Sequence, residues 1–224
     1  MKLNKNLNIN RYEWVENILN ESELIRRSKK PILFDIGAND EILLKFCNTS
    51  IIQYNSFDIS PVGRNTRSWD LEIPFPYKKE KADIITLLEV VEHLNNPWQC
   101  LKNLSDIMKI GGLLLLTTPN PSWSNSRLHL FLKGKLATFT QSDLDLNHHV
   151  FTPWPHILER LLTDNGFEVI EYVTLDGQTY LFDKNLRISG LFPQIIYRVF
   201  KKTIEFFDPS SKGMSYGIIA KKTR

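Results

Sequence analysis

Short apolar runs alternate with segments of helical periodicity along most of this chain. Six runs have the length of buried strands: 31–35 (PILFD), 51–58 (IIQYNSFD), 82–88 (ADIITLL), 113–118 (LLLLTT), 168–175 (EVIEYVTL) and 214–222 (MSYGIIAKK). Between them, apolar residues spaced three or four apart predict helices over 12–27, 41–46, 97–110, 126–134 and 152–166. This alternation predicts an α/β fold in which helices cover both faces of a parallel sheet.

The bulk properties are those of one soluble globular domain. The chain has 224 residues, of which 42% are hydrophobic and 24% charged, so we expect a single domain over 1–224. Residues 1–29 would form a helical lead-in, and 176–212 an insert before the last strand. The amino end lacks the apolar region of a secretory signal, and no run of about 18 apolar residues occurs. These features predict a cytoplasmic protein with no transmembrane segment.

Carboxylates stand at the ends of the first two predicted strands, at Asp35 and Asp58. In sheets of this kind ligands bind beyond the carboxyl ends of the strands, and an acid there can accept hydrogen bonds from ribose hydroxyls. A nicotinamide dinucleotide needs a glycine-rich loop, yet this loop has only Gly37, and Asp40 and Glu41 would repel a pyrophosphate. S-adenosylmethionine has no phosphate and carries positive sulfonium and ammonium groups, so the same acids favour it.

Five blocks, in order along the chain, resemble one protein family. They are ILFDIGANDEIL (32–43), FDIS (57–60), DLEIPFPYKKEKADIITLLEVVEHLNNP (70–97), MKIGGLLLLTTPNP (108–121) and FTPWPHILERLLTDNGFEVI (151–170). Together they resemble the class I S-adenosylmethionine-dependent methyltransferases. The resemblance implies a Rossmann-like, mostly parallel seven-stranded sheet with helices on both faces and an antiparallel final strand.

The resemblance also assigns the methionyl side of a cofactor site. It implies that Gly37 passes close to the methionyl group, that Asp35 reaches its amino group through the loop, and that Glu89 lies beneath the sulfonium. The family loop reads D-x-G-x-G-x-G, whereas Asn39 and Glu41 occupy the later glycine positions here. Asparagine tolerates positive φ better than most residues, so Asn39 is expected to hold the turn.

For the adenosine side, the resemblance implies that Asp58 accepts hydrogen bonds from the ribose hydroxyls. Ile59 would pack against adenine, and Asp70 and Leu71 would lie at the adenine edge.

The run LLEVVEHL (87–94) places Glu89, Glu92 and His93 in an otherwise apolar segment. It resembles the E-x-x-E-H turn of ubiquinone-pathway O-methyltransferases and small-RNA 3′-end methyltransferases, which add a later histidine. His149, beside His148, stands where those families place it. The resemblance implies that Glu89, Glu92, His93 and His149 hold Mg²⁺, Mn²⁺ or Zn²⁺, or that Glu92, His93 and His149 act directly in catalysis, with His93 or His149 as general base. The alternative is that these side chains only brace the loop.

The insert contains an apolar stripe beside basic residues. In FPQIIYRVFKKTIEFF (192–207) the stripe consists of Ile195, Ile196, Val199, Phe200 and Phe207, next to Arg198, Lys201 and Lys202. We predict that this segment packs over the sheet as a lid on the acceptor site; a peripheral membrane contact or a protein partner is the alternative.

The sequence therefore predicts an S-adenosylmethionine-dependent methyltransferase, with an oxygen of a small molecule, sugar, glycan precursor or phenolic metabolite as the acceptor. A non-catalytic binding or scaffold protein with a degraded cofactor loop is the alternative, based on Asn39 and Glu41. A nucleic-acid acceptor is disfavoured, because the net charge is only +3 and the basic residues are scattered. The oligomeric state is left open.

Overall fold

The computed structural model describes residues 3–23, 25, 30–77, 81–177 and 191–224. The strands in this part are β1 (Lys5–Asn6), β2 (Ile32–Ile36), β3 (Gln53–Asp58), β4 (Arg67–Ser68), β5 (Ala82–Leu88), β6 (Met108–Pro119), β7 (Phe167–Leu175) and β8 (Ser215–Lys222). The α-helices are α1 (Arg11–Glu21), α2 (Pro97–Ile107), α3 (Ser124–Lys133), α4 (Gln141–Asn147), α5 (Pro155–Asp164) and α6 (Leu191–Phe207). Short 3₁₀ helices lie at Ile42–Phe46, Val91–His93 and Pro209–Ser211.

The strands form one sheet in the order β1-β7-β8-β6-β5-β2-β3-β4. Every pairing is parallel except those of β8, which runs antiparallel to both β6 and β7. The predicted Rossmann-like α/β fold with an antiparallel final strand is therefore confirmed. The described residues give eight strands where seven were expected, and two of the eight, β1 and β4, are only two residues long and lie at the sheet edges.

Both faces of the sheet are buried, which explains why its strands read as continuous apolar runs. In β2, Phe34 belongs to the core cluster on one face, while its neighbour Leu33 belongs to the cluster on the other. Leu114 and Leu115 of β6 divide in the same way. Helices α2 and α5 contribute Leu101, Leu104, Leu158 and Leu162 to the first cluster, and α1 contributes Trp14, Val15 and Leu19 to the second.

Three predicted helices differ in the structure. The helix predicted over 97–110 ends at Ile107, and β6 begins at Met108. Helix α1 ends at Glu21, after a start in which the Asn10 side chain accepts hydrogen bonds from two backbone N–H groups. The segment 41–46 forms a 3₁₀ helix over Ile42–Phe46 instead of an α-helix, and Glu41 before it adopts a left-handed backbone with φ of 60°. The predicted insert falls partly outside the described residues, since 178–190 are not among them. In the part that the structure describes, no helix is long and apolar enough to cross a membrane.

Asp35 is a buried carboxylate in the centre of the sheet. Its Oδ2 accepts a hydrogen bond from the Tyr54 hydroxyl at 2.6 Å, and its Oδ1 accepts one from the Thr86 hydroxyl at 2.8 Å. Burial raises the pKa of Asp35 to about 6, although these two hydrogen bonds act in the opposite direction. The folded chain therefore binds a proton at Asp35 more tightly than the unfolded chain does.

We expect Asp35 to reduce the stability of the fold as pH rises from 4 to 7. Below its ordinary pKa of 3.8 both states are protonated and no penalty exists; above about 6 the penalty is complete, at about 3 kcal/mol. Asp35→Asn removes this titration. The free energy of unfolding of the variant, relative to the parent, should rise by about that amount between pH 4 and 7 in urea denaturation. A difference that stays constant over this range contradicts a raised pKa.

Candidate active site

A cavity of about 490 Å³ opens beyond the carboxyl ends of the central strands β2, β3 and β5. Its lining comes from the ends of these strands and of β4, and from the residue after α4: Gly37, Asn39, Asp58, Ile59, Trp69, Asp70, Leu71, Glu72, Glu89, Val90, His93, Leu94, Asn95 and His148. These include every residue predicted for the cofactor site except Asp35. The structure thus brings together residues from five separate segments.

The cavity has an acidic lining. Four carboxylates contribute to it, Asp58, Asp70, Glu72 and Glu89, and no lysine or arginine is among the described residues that line it. A cavity with this charge attracts a cation and repels a phosphate-bearing ligand. This matches the reason for preferring S-adenosylmethionine over a dinucleotide.

Gly37 lies where the loop after β2 contacts the loop after β5. Its φ is +74°, and a Cβ atom there would lie 2.3 Å from Val90 Cγ2, much closer than real carbon atoms approach. Both the backbone conformation and the space therefore require glycine at this position. The Gly37 N–H also donates to the Phe57 carbonyl oxygen at 2.9 Å, which ties the loop to β3.

Asn39 and Glu41 both adopt the left-handed backbone that glycine would favour at their positions, with φ of 45° and 60°. The Asn39 N–H donates to Asp58 Oδ2 at 2.9 Å, so the turn holds the predicted ribose-binding carboxylate in place. The Glu41 carboxylate accepts a hydrogen bond from the Ser56 hydroxyl at 2.7 Å and does not line the cavity. The loop therefore keeps its turn without the later glycines.

Asp35 lies apart from the cavity lining, because both of its oxygens are bound to Tyr54 and Thr86. Its predicted route to the cofactor was indirect, through the loop, and stays a prediction. Ile59 projects into solvent at the cavity rim and is 67% exposed.

Glu89 has a strained backbone and a carboxylate enclosed by protein. Its φ is 55°, its Oε2 lies 3.6 Å from the guanidinium of Arg11, and its Oε1 is buried without a hydrogen-bond partner. Burial raises the pKa of Glu89, and Arg11 opposes that rise. An unpartnered buried carboxylate oxygen at a cavity wall is costly unless a ligand satisfies it.

Glu92, His93 and His149 form a compact cluster. Each offers one ligand atom, and these three atoms lie within 4.8 Å of one another. Glu92 is 1% exposed; its Oε2 accepts a hydrogen bond from the Thr118 hydroxyl at 2.8 Å, and its Oε1 lies 3.8 Å from His93 Nε2. Burial and the neighbouring Glu89 raise the pKa of Glu92 well above its usual range. Glu89, which was predicted to join this set, is not part of the cluster and pairs with Arg11 instead.

Both histidines of the cluster are oriented by backbone carbonyl groups. His93 Nδ1 lies 2.5 Å from the Asn147 carbonyl oxygen, and His149 Nδ1 lies 2.8 Å from the carbonyl oxygen of Thr138. A carbonyl only accepts, so each Nδ1 donates its proton to that oxygen, and the lone pair of a neutral ring would lie on Nε2. Burial also lowers the pKa of His93, which favours the neutral ring.

Three residues at the site, Glu72, Arg11 and His148, were not predicted as site residues from the sequence. Glu72 lines the cavity and its Oε1 accepts a hydrogen bond from the Asn96 N–H at 2.8 Å. Glu72 directly follows Asp70 and Leu71, which were predicted for the cofactor site, so its place in the sequence could have indicated a role in the cavity. Arg11 had no such signal, since it comes from α1 and reaches Glu89 only in the folded chain. His148 lines the cavity, whereas its neighbour His149 lies in the cluster.

Other chemistry-bearing residues lie away from this cavity. Arg127 pairs with Asp208, His129 is buried in α3, and His156 is exposed. A larger cavity of about 800 Å³ lies near the β1 and β7 edge, lined in part by Trp154 and His156, but it holds none of the residues predicted for the site.

The comparisons with known proteins agree with this geometry. A family model described as a methyltransferase domain matches residues 7–172, which is more than half of the chain. The chain belongs to this methyltransferase family. The prediction of a methyltransferase from the five sequence blocks is therefore confirmed. No curated protein matches the chain.

Solved structures show the same methyltransferase fold at low sequence identity. A SAM-dependent methyltransferase from Archaeoglobus fulgidus is 21% identical, with 94% of each chain covered and a TM-score of 0.60. The YcgJ protein from Bacillus subtilis is 13% identical, with 96% of this chain and 98% of that chain covered and a TM-score of 0.57. The [4+2]-cyclase SpnF is 13% identical, with coverages of 95% and 81% and a TM-score of 0.59. Because the last of these is a cyclase, the fold alone does not fix the reaction.

We expect Gly37→Ala to weaken S-adenosylmethionine binding at least about tenfold, since the new Cβ would push the two loops apart and strain the backbone. Calorimetric titration with the cofactor measures this. Adding Val90→Ala should restore part of the affinity by removing the blocking methyl group. Gly134→Ala is the matched control, because Gly134 has a similar φ of +70° with nothing within 4 Å of its Cβ position. Equal losses in Gly37→Ala and Gly134→Ala contradict a role for the loop contact.

Glu41→Gly and Asp58→Asn should have different effects on cofactor affinity. Glu41 does not line the cavity and glycine accepts its backbone, so the dissociation constant should stay within about twofold. Asp58 lines the cavity as a carboxylate, so its replacement should weaken binding by about tenfold. Calorimetric titration with S-adenosylmethionine measures both dissociation constants. A large gain in affinity from Glu41→Gly would show that Glu41 impairs the site.

Proposed function

We propose that this methyltransferase methylates an oxygen of a small acceptor, such as a sugar, a glycan precursor or a phenolic metabolite, beside a divalent metal held by Glu92, His93 and His149. The observation that carries the proposal is that one ligand atom from each of these three side chains lies within 4.8 Å of the other two, with His93 Nε2 at 3.8 Å from Glu92 Oε1. His93 belongs both to this cluster and to the cavity lining, so the cluster adjoins the cofactor cavity.

The cavity residues fit S-adenosylmethionine. When bound, this cofactor supplies an electrophilic methyl group on a sulfonium. Asp58, held by the Asn39 and Ser60 N–H groups, is placed to accept hydrogen bonds from ribose hydroxyls. Glu89 lies at the cavity wall, where its carboxylate suits a positive group, and Gly37 lets the backbone come close. Ile59, Asp70 and Leu71 would border the adenine.

The donor set of the cluster suits a divalent ion. Two imidazoles and one carboxylate are ligands that Zn²⁺ and Mn²⁺ accept, while Mg²⁺ prefers oxygen. Metal-binding histidines commonly donate their second N–H to a carbonyl or a carboxylate, as His93 and His149 do here. A bound ion would lower the pKa of an acceptor hydroxyl.

The residues of the cluster also have roles of their own in catalysis. An acceptor hydroxyl must lose its proton as its oxygen attacks the methyl group. When no ion occupies the Nε2 lone pair of His93, that nitrogen can accept the proton; when an ion does, His93 is a ligand and not the base. Glu92 and His149 would position His93 or share the ion. Because methyl transfer requires the attacking oxygen, methyl carbon and leaving sulfur to be in line, orientation of the acceptor by this cluster supplies much of the rate.

We expect His149→Ala and Glu92→Gln each to reduce Mn²⁺ or Zn²⁺ affinity by at least about tenfold in calorimetric titration. His149 does not line the cavity, so His149→Ala should leave S-adenosylmethionine affinity unchanged. His156→Ala is the matched control, since His156 is exposed and lies outside the cluster.

Methylation of phenolic and sugar hydroxyls is then followed through release of S-adenosylhomocysteine, with and without chelator. Metal binding that is equal in the parent and both cluster variants contradicts the metal site. Methyl transfer that survives the loss of both Glu92 and His93 side chains contradicts their role in oxygen methylation. Cofactor binding without transfer to any acceptor would favour the non-catalytic alternative.

A further inference from the structure

Helix α6 turns its apolar side outward. Its large exposed side chains are Ile195, Ile196, Val199, Phe200, Phe206 and Phe207, and the last two are each 79% exposed. At 100° per residue these six positions fall on one side of the helix, which makes a continuous apolar stripe. We call these six residues the outer face of α6.

Three polar residues of the same helix face the protein. Tyr197, Lys201 and Glu205, spaced four apart, are buried or nearly so. The Tyr197 hydroxyl donates to Asn125 Oδ1 at 2.5 Å, and the Ser124 hydroxyl donates to Glu205 Oε1 at 3.0 Å. Among the side chains that the structure describes, hydrogen bonds thus attach helix α6 to α3, while the six residues of the outer face point away. A surface helix of a soluble domain normally has the opposite orientation.

Basic side chains border the outer face. Arg198 and Lys202 line a shallow groove together with Val199, Phe206 and Phe207. Helix α6 carries three basic residues and one acidic residue, Glu205, which is buried against α3 and pairs with Lys202 at 3.0 Å and with Lys201 at 3.8 Å. With one acid for three bases, the helix keeps a net positive charge beside its large exposed apolar side chains.

We propose that the outer face of α6 docks on an anionic phospholipid bilayer. A helix of 17 residues is about 25 Å long, and its charged inner side stays on the protein, so it would lie in the plane of the membrane interface. Its phenylalanines and aliphatic side chains would enter the acyl boundary, while Arg198 and Lys202 contact lipid phosphates. Charge complementarity favours this occupant over a neutral apolar partner. The proposal is independent of the acceptor and of the metal.

Flotation of the full chain with vesicles tests the proposal. The chain should float with phosphatidylcholine vesicles containing phosphatidylglycerol, bind pure phosphatidylcholine at least about tenfold more weakly, and be partly released at about 1 M salt. Phe206→Ser combined with Phe207→Ser should reduce binding to the anionic vesicles at least about tenfold. Lys202→Gln should weaken binding and its dependence on salt.

Ile110→Ser is the matched control, because Ile110 is 75% exposed but belongs to β6, outside α6. It should float like the parent, and circular dichroism of every variant confirms folding. Three results overturn the proposal: no flotation of the parent, flotation that the paired phenylalanine variant leaves unchanged, or a dimer in sedimentation velocity that this variant dissociates. The last result would assign the outer face to a second copy of the chain.

Discussion

The site depends on the close approach of two loops that follow the neighbouring central strands β2 and β5. These strands pair in parallel, with Ile36 opposite Leu87, so their following loops leave the sheet side by side. The approach is possible only because Gly37 has no side chain where Val90 passes. The loop after β2 continues to Asn39, whose N–H donates to Asp58 at the end of β3. The loop after β5 contains Glu89 and His93. The cavity and the cluster of Glu92, His93 and His149 therefore both lie where these two loops meet.

Backbone strain is concentrated around this junction. Five described residues other than glycine have positive φ: Asn39, Glu41, Glu89, His148 and Asp176. Three of these line the cavity, and Glu41 lies in the same loop as Gly37. Such conformations persist only where surrounding contacts hold them, and they are typical of ligand sites. Here the contacts include the bonds of Asn39 to Asp58 and of Glu41 to Ser56.

Sequence reasoning reached the fold and many of the residues that line the cavity, because both follow from local patterns. Strand ends place Asp58 and Glu89 wherever the parallel sheet forms, and the LLEVVEHL run placed Glu92 beside His93. What could not be predicted depends on packing between distant segments. Arg11 reaches Glu89 from another helix, and this pairing separates Glu89 from the cluster that it was expected to join. The stripe of α6 was visible in the sequence, but its periodicity is the same whether the apolar side turns inward or outward.

The most direct test of the account is anomalous diffraction from crystals grown with S-adenosylmethionine and Mn²⁺. The account predicts an anomalous peak among Glu92, His93 and His149, with the ribose of the cofactor at Asp58 and its sulfonium near Glu89. Cofactor density without an anomalous peak would contradict the metal site and leave the cavity assignment standing. Cofactor density in another part of the molecule would contradict the central claim that the Gly37–Val90 junction forms the active site.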